Sequence, residues 1–185
     1  SEENYKGGKK EGQSAAWHAN GKVWYVKNYK DGMQDGNTTF WYKNGQKMRE
    51  TNFKEGEQEG LEVSWYESGQ KKQEYRKKGG KLDGTSTWWY ENGQKKSETN
   101  YKNGMQDGLM NFWAENGQKK VERNFKDDKE HGLSIAWHEN GHKWYETHYK
   151  EGKKHGVEIF YSSENGQKVQ ETNYKDGKEI STKLF

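Results

Sequence analysis

Short segments of alternating apolar and polar residues follow one another along the chain, separated by turns that contain glycine. Leu61–Trp65 reads Leu-Glu-Val-Ser-Trp and Leu133–Trp137 reads Leu-Ser-Ile-Ala-Trp, so apolar side chains recur at every second residue. This period is typical of β-strands. Each such strand is followed by a more polar one, as in Lys95–Tyr101, which ends in an aromatic residue. The pattern therefore predicts many short strands of about seven residues.

Two kinds of turn signal separate these strands. The first is Asn-Gly, as at Asn20-Gly21 and Asn44-Gly45, with Ser68-Gly69 as a variant. Asn-Gly tolerates positive φ angles and predicts a two-residue type I′ hairpin turn. The second is a corner such as Asp31-Gly32, about 12 residues away. Strands joined by turns at this spacing predict antiparallel hairpins.

A glycine and an aromatic residue five positions after it recur every 24 residues from Gly12 onward. This period is typical of a repeat protein. The two-residue turn places the glycine opposite the aromatic that ends the second strand, where the ring would shield the glycine backbone. The structural positions predicted from this pattern are Gly36, Gly60, Gly84, Gly108 and Gly132 together with Trp41, Trp65, Trp89, Trp113 and Trp137.

The predicted fold is all-β: an elongated, twisted, single-layer antiparallel meander of about seven hairpin repeats, open at both edges. We expect one repeat array over residues 1–185, with no second domain. Its predicted divisions are a half repeat at 1–11, repeats at 12–35, 36–59, 60–83, 84–107, 108–131, 132–155 and 156–180, and the start of a further strand at 181–185. Because the chain begins with Ser1 inside a repeat, we expect a processed product or a segment of a longer protein.

Composition alone would indicate disorder, because Ile, Leu and Val number only 14 and mean hydropathy is −1.59. Nine Trp, twelve Tyr and six Phe in fixed register, with a net charge of only +3, favour an ordered sheet instead. The absence of cysteine excludes disulfides and cysteine-ligated metal sites. Apolar runs are too short for a transmembrane segment or a signal-peptide core. The sequence does not indicate the cellular compartment of the protein.

The segments Tyr101–Gly108 and Tyr149–Gly156 resemble the MORN repeat, with its aromatic-x-x-Gly-x-x-His/Asp-Gly core, and Trp89–Lys95 is similar to the bacterial MORN variant. Lys77, Asp128 and Ser181 depart from the pattern. The resemblance implies a bacterial origin and a non-catalytic scaffold for protein contacts, with membrane-lipid binding proposed for some members. Bacterial variant-repeat proteins are often described as antitoxin or immunity partners.

Histidines, glutamates and lysines each recur in the repeats and are candidates for metal binding, catalysis or phosphate binding. His131 and His155 hold the same repeat position and should lie about 10 Å apart, too far to share a metal ion unless another ligand lies between them. A glutamate recurs in nearly every unit, from Glu50 to Glu171, which suits charge balance better than a single catalytic site. We therefore predict no catalytic residue, no metal ligand and no cofactor. The histidines are predicted to be repeat-motif residues that lie at turns.

A row of lysines just after the Asn-Gly turns, beginning with Lys47 and Lys71, suggests a nucleic-acid or lipid-headgroup edge. Glutamates before the same turns offset that charge, so nucleic acid is disfavoured and membrane lipid is kept as a minor alternative. The remaining candidate is a set of aromatics that a single-layer sheet leaves partly exposed. These predicted partner-binding residues are Phe40, Tyr42, Tyr66, Trp88, Tyr90, Phe112 and Phe160.

The function predicted from the sequence is a non-catalytic protein–protein interaction scaffold that binds another protein through this aromatic surface. Two alternatives remain open at this point. One is self-assembly through the terminal strand edges, and the other is lipid or nucleic-acid binding through the lysine edge.

Overall fold

The computed structural model describes residues 1–185 and is all-β, with no helix. It therefore contains no helix that could cross a membrane. The chain divides into two compact units, Ser1–Gly93 and Gln94–Phe185. The all-β antiparallel hairpin fold predicted from the alternation is confirmed.

The first unit contains eleven strands. They are β1 (Tyr5–Lys6), β2 (Lys9–Lys10), β3 (Gly12–Trp17), β4 (Val23–Lys30), β5 (Met33–Gln34), β6 (Gly36–Trp41), β7 (Lys47–Lys54), β8 (Glu57–Trp65), β9 (Lys71–Lys78), β10 (Lys81–Leu82) and β11 (Gly84–Trp89). The second unit contains nine. They are β12 (Lys95–Lys102), β13 (Met105–Trp113), β14 (Lys119–Lys126), β15 (Lys129–Glu130), β16 (Gly132–Trp137), β17 (Lys143–Lys150), β18 (Lys153–Tyr161), β19 (Lys168–Lys175) and β20 (Lys178–Leu184).

Within each unit, strands that follow one another pair antiparallel. Some segments that the alternation predicts as one strand are divided by a bulge. Thus β4 pairs with both β5 and β6, and β14 pairs with both β15 and β16. β1 and β2 form a separate two-stranded sheet, while Glu2 forms a bridge with Ala15.

The type I′ turns lie at the second kind of turn, the corner that contains Asp31-Gly32 in the first unit. Asp31 and Gly32 both have positive φ, at 51° and 89°, and Lys30 pairs with Met33 across them. Two consecutive positive φ angles define this turn, and its twist matches that of the flanking strands. The backbone N–H of Gly32 also donates to the carbonyl of Lys10 in the preceding hairpin, at 2.9 Å. The same bond to the preceding hairpin recurs at Gly56, Asp128, Gly152 and Gly177.

The Asn-Gly turns are not type I′, so that prediction was wrong. At the first of them, Gly21 N donates to His18 O at 2.9 Å and His18 N donates to Lys22 O at 2.8 Å. Only the glycine has a positive φ. This geometry is a three-residue loop, in which a type I turn is closed by a glycine in the left-handed region. The asparagine has another role, because Asn20 Nδ2 donates to the Lys43 carbonyl in the next loop at 2.8 Å.

A bulge in the second strand compensates for the extra loop residue. Trp17 pairs with Val23 and Ala16 pairs with Tyr25, so Trp24 has no partner on the opposite strand. The register beyond the bulge equals that of a two-residue loop. Gly12 consequently pairs with Tyr29, and the predicted pairing of the repeating glycine with the terminal aromatic is confirmed.

The repeating glycine is required by backbone conformation rather than by an overlying ring. Gly36 has a φ of 95°, which side-chain-bearing residues rarely adopt. A Cβ at this position would meet the Cβ of Asn28 at 3.5 Å, and no aromatic atom lies within 4 Å of it. The sequence-based explanation, an aromatic ring that lies over the glycine and shields its backbone, was therefore wrong at this position.

The most deeply buried side chains are small and polar. Thr38 and Thr51 pair across β6 and β7, and Thr147 pairs with Ser134. Each of these side chains is at most 2% exposed. Aromatic residues lie on the same face two residues away, as Phe40 does from Thr38, so the middle of the strand has room only for small groups.

The tryptophans at the repeat positions are only half-buried. Fully buried apolar residues are few: Ala16, Ala136 and Ile159. Within each unit, the extensive contacts of every strand are with its neighbours in the meander, and no second layer covers the large rings. The expected aromatic core is thus a set of partly covered rings on either side of a buried threonine and serine row.

Candidate functional site

The two faces of the sheet differ in chemistry. Phe40 and Trp41 are consecutive in β6 and therefore lie on opposite faces. We call the face of Phe40 and Thr38 the aromatic face, and the face of Trp41 and Glu50 the ladder face. Equivalent residues in the other repeats lie on the corresponding face because the register repeats.

Lysine and glutamate form repeated ion pairs on the ladder face. Lys71 Nζ lies 2.6 Å from Glu74 Oε2, and Lys143 Nζ lies 2.6 Å from Glu146 Oε2. The same i, i+3 pair recurs as Lys47–Glu50, Lys95–Glu98, Lys119–Glu122 and Lys168–Glu171. The prediction that the glutamate row balances charge is confirmed, and the lysines of the predicted phosphate-binding edge are neutralised by it.

The same lysines lie over tryptophan rings of the ladder face. Lys71 Nζ is 5.5 Å from the centre of the Trp89 ring, and Lys119 Nζ is 5.8 Å from that of Trp137. A cation over an aromatic face is attracted by the ring quadrupole. The repeat tryptophans thus belong to a layer of lysine, glutamate and indole that covers this face of the backbone.

Tyr161 replaces the tryptophan in the last repeat and forms a hydrogen bond to a carboxylate of the ladder face. Its hydroxyl donates to Glu146 Oε1 at 2.6 Å. Burial, followed by this bond to a carboxylate, raises the pKa of Tyr161 to about 12. Burial opposes ionisation of Glu146, but hydrogen bonds from Lys143 and Tyr161 outweigh it and lower the pKa of that carboxyl.

The prediction that the histidines lie at turns is correct only in part. His18 and His138 lie in Asn-Gly loops, whereas His148 lies within β17 and His155 within β18. His18 Nε2 is 2.9 Å from the Trp41 carbonyl, and His138 Nε2 is 3.3 Å from the Tyr161 carbonyl. His131 Nδ1 lies 3.7 Å from Glu151, and His155 Nδ1 lies 3.3 Å from Asp176. No three His, Cys, Asp or Glu side chains are grouped in a way that could hold a metal ion.

The seven residues predicted to bind a partner fall into two structural classes. One class lies on the aromatic face, where Trp88 and Phe112 are each 38% exposed and Phe40 and Phe160 are half-buried. The other class, Tyr42, Tyr66 and Tyr90, follows the strands in the Asn-Gly loops. The Tyr42 hydroxyl donates to the Trp65 carbonyl, and the Tyr66 hydroxyl to the Trp89 carbonyl, both at 2.8 Å. These two tyrosines therefore also connect repeats.

Each unit contains an aromatic cluster that the sequence analysis missed. In the first unit, Trp24 contacts Tyr25 edge-on, with ring centres 5.3 Å apart, and Tyr25 lies 6.0 Å from Phe40. In the second, Trp144 and Tyr145 are 5.2 Å apart, and Tyr145 lies 5.9 Å from Phe160. A signal was present, since both segments share Ala-Trp-His-x-Asn-Gly followed by Trp-Tyr.

The exposed tryptophan of each cluster is the bulge residue. Trp24 is 45% exposed and Trp144 is 49% exposed. Because a bulge residue has no opposite partner, its side chain is free to lie over the neighbouring rings. The offset that restores the strand register thus also presents an indole to solvent.

A depression of the first unit opens on its aromatic face. It has a volume of about 510 Å³ and lies between Phe40 and Trp88, with Ser64 at its floor. Trp24, Arg49 and Lys72 also line it. We call it the Ser64 cleft.

Six segments match the family model of the MORN repeat variant: residues 10–31, 34–55, 58–76, 82–103, 106–127 and 130–151. Together they cover well over half of the chain. No curated protein matches the chain. MORN repeats generally mediate protein or membrane-lipid interactions, and proteins built from them are generally non-catalytic. With hairpin strands and glycine turns in the matched segments, the chain belongs to the MORN repeat variant family.

Proposed function

We propose that the chain is a non-catalytic scaffold that binds another protein through its aromatic face. The observation that supports this function is the solvent exposure of large aromatic rings there, chiefly Trp24, Trp88, Phe112 and Trp144. Exposed aromatic area marks interaction surfaces, and Trp and Tyr are favoured anchors at protein interfaces. The immunity-type role of bacterial variant-repeat proteins is one form of this function.

The ladder face is the less favourable candidate for a charged ligand. Its lysines are already paired with glutamates three residues away, as Lys71 is with Glu74. Phosphate binding by lysine depends on charge that is free to replace counterions. This neutralisation favours a protein partner over nucleic acid or lipid.

Capture from the lysate of the source organism tests the proposal, with a matched pair of variants. Trp88→Ala, Phe112→Ala removes two rings from the aromatic face. Leu61→Ala, Leu109→Ala removes two apolar side chains of similar exposure, 44% and 41%, from the opposite face. We expect a protein that the parent and the leucine variant recover and the aromatic variant loses.

Equal recovery by both variants, or no recovered protein, would contradict the proposal. Binding of the purified chain to phosphatidylserine vesicles, in the absence of any captured protein, would favour the lipid alternative. Sedimentation velocity at several concentrations measures self-association separately.

A further inference from the structure

The Ser64 cleft arises because one repeat lacks a ring that most of its neighbours have. Phe40 and Trp88 occupy the same repeat position as Ser64, one repeat before and one repeat after it. Across the sheet, Ser64 pairs with Arg49 on one side and Gln73 on the other. Three polar residues therefore form a floor between two aromatic walls. A concave, mostly apolar site with a few convergent polar groups is the usual form of a ligand site.

Two cations of this cleft, Arg49 and Lys72, have no ion-pair partner in the protein. Arg49 and Lys72 form no ion pair and no hydrogen bond, unlike the lysines of the ladder face. Their contacts are with rings. The Arg49 guanidinium lies 4.7 Å from the centre of the Phe40 ring, and Lys72 Nζ lies 5.5 Å from that of Tyr66.

On the aromatic face of the second unit, an arginine and a lysine form ion pairs with glutamates. Arg123 lies 3.4 Å from Glu130, and Lys154 lies 2.5 Å from Glu158. The residue equivalent to Ser64 is Ala136, which is 3% exposed and covered by its neighbours. The Ser64 cleft, with its arginine and lysine between two aromatic walls, is thus a feature of the first unit and not of the repeat in general.

From these observations we propose that the Ser64 cleft binds an acidic peptide segment of the partner. A carboxylate of that segment binds Arg49, and an apolar side chain beside it packs between Phe40 and Trp88. This assignment rests on the proposed function, because it names the chemistry of the partner at one part of the aromatic face.

The geometry of Arg49 suits a carboxylate. Its guanidinium is held over the Phe40 ring, and none of its N–H groups is used within the protein. A guanidinium stacked on a ring retains in-plane donors that match both oxygens of a carboxylate. Lys72 adds a second positive charge at the rim. The carboxylate that lines the cleft, Glu62, is only 8% exposed and already accepts a hydrogen bond from Gln58 at 2.6 Å.

The recessed shape favours a peptide over a membrane surface. The rings of Phe40 and Trp88 form the walls of a cleft of about 510 Å³, in the range of small-molecule and short-peptide pockets. The Ser64 hydroxyl and the Gln73 amide at its floor can bond peptide groups. A planar array of headgroups would meet the rim and leave this floor unfilled.

Selection from a phage-displayed random heptapeptide library, with the parent chain as bait, tests the assignment. We expect recovered peptides to be enriched in Asp or Glu next to Leu, Phe or Trp. A synthetic copy of a recovered peptide should bind Arg49→Gln about tenfold more weakly, the loss of one charge-assisted hydrogen-bond pair. Ser64→Phe restores the ring of the neighbouring repeats and should abolish binding by filling the cleft.

The matched control is Lys120→Gln, which changes a lysine at the repeat position of Lys72 in the other unit and should bind the peptide like the parent. Recovered peptides without acidic enrichment, or unchanged binding by Ser64→Phe, would overturn the assignment. Arg49-dependent binding to phosphatidylserine vesicles without peptide binding would also overturn it. If lysate capture still depends on Trp88 and Phe112, only the cleft assignment fails; if capture is insensitive to them, the proposed function fails as well.

Discussion

The Tyr42 hydroxyl donates a 2.8 Å hydrogen bond to the backbone carbonyl of Trp65, which lies 23 residues further along the chain. The loop of one hairpin is thereby fastened to the end of a strand in the next. Tyr66 repeats this contact with the Trp89 carbonyl, and in other repeats a histidine ring takes the same place. A side chain that alternation alone would assign to binding is therefore also part of the connection between repeats.

Removal of this hydroxyl should destabilise the first unit. We expect Tyr42→Phe to lower the free energy of unfolding by about 1 kcal/mol, because the partly buried Trp65 carbonyl loses its donor. Urea denaturation followed by tryptophan fluorescence measures the change. Tyr25→Phe is the control, since the Tyr25 hydroxyl makes no hydrogen bond, and its effect should stay within about 0.5 kcal/mol. Equal losses in both variants would contradict a specific role for the bond.

Two buried threonines should respond oppositely to loss of the hydroxyl. Thr147 Oγ1 donates to Glu158 Oε1 at 2.7 Å, so Thr147→Val should cost about 1–3 kcal/mol by leaving a buried carboxylate with one donor fewer. Thr38 Oγ1 has no partner, so Thr38→Val should be neutral or stabilising. Thermal unfolding of the two variants and the parent compares them directly. A larger loss from Thr38→Val than from Thr147→Val would show that the hydrogen bond is not the cause.

The ion pairs should differ in strength according to burial. The Glu158 side chain is 6% exposed and that of Glu50 is 35% exposed. We expect Lys154→Gln to destabilise by about 3 kcal/mol, because it leaves a buried carboxylate without its cation. Lys47→Gln should cost under about 1 kcal/mol, since water screens its partner. Urea midpoints test both, and similar midpoints for the two variants would refute the dependence on burial.

The Tyr161–Glu146 pair should make stability fall at alkaline pH. The raised pKa of Tyr161, about 12, means that its contribution is fully present below the unfolded value near 10 and is lost as pH rises from there. The contribution of Glu146 to stability depends on pH in the opposite direction. Because its pKa is lowered, this contribution is present above the ordinary pKa of a glutamate and is lost as pH falls below it. The parent should therefore exceed Tyr161→Phe in stability at about pH 8, and the difference should disappear toward pH 12. A difference that stays constant across this range would rule out the linkage, and Tyr25→Phe again serves as control.

Periodicity predicted the strands and the register because both repeat. The pairing of Gly36 with Phe53 could be derived from spacing alone. The turn type could not, since Asn-Gly occurs both in type I′ turns and in loops closed by a left-handed glycine. The two geometries lead to the same register here only because a bulge at residues such as Met48 offsets the longer loop.

The candidate site was predictable in part, for a similar reason. Alternation indicated which aromatics lie outside the main apolar row, including Phe40 and Tyr42. It does not show that Phe40 lies on a strand while the Tyr42 hydroxyl is used in the next repeat. Likewise, the exposure of Trp24 depends on the bulge, and the burial of Thr38 depends on the rings that flank it. Neither property is visible in local composition.

The loop of the last hairpin contains one residue more than the others, yet the sheet beside it is unchanged. Gly166 N donates to Ser162 O, four residues back rather than three, and Gly156 still pairs with Tyr174. Length variation at these loops is therefore decoupled from strand pairing. Such loops are natural points at which lineages can diversify a binding rim, and at which an experimenter can insert a fluorophore-binding or affinity sequence while the sheet keeps its register.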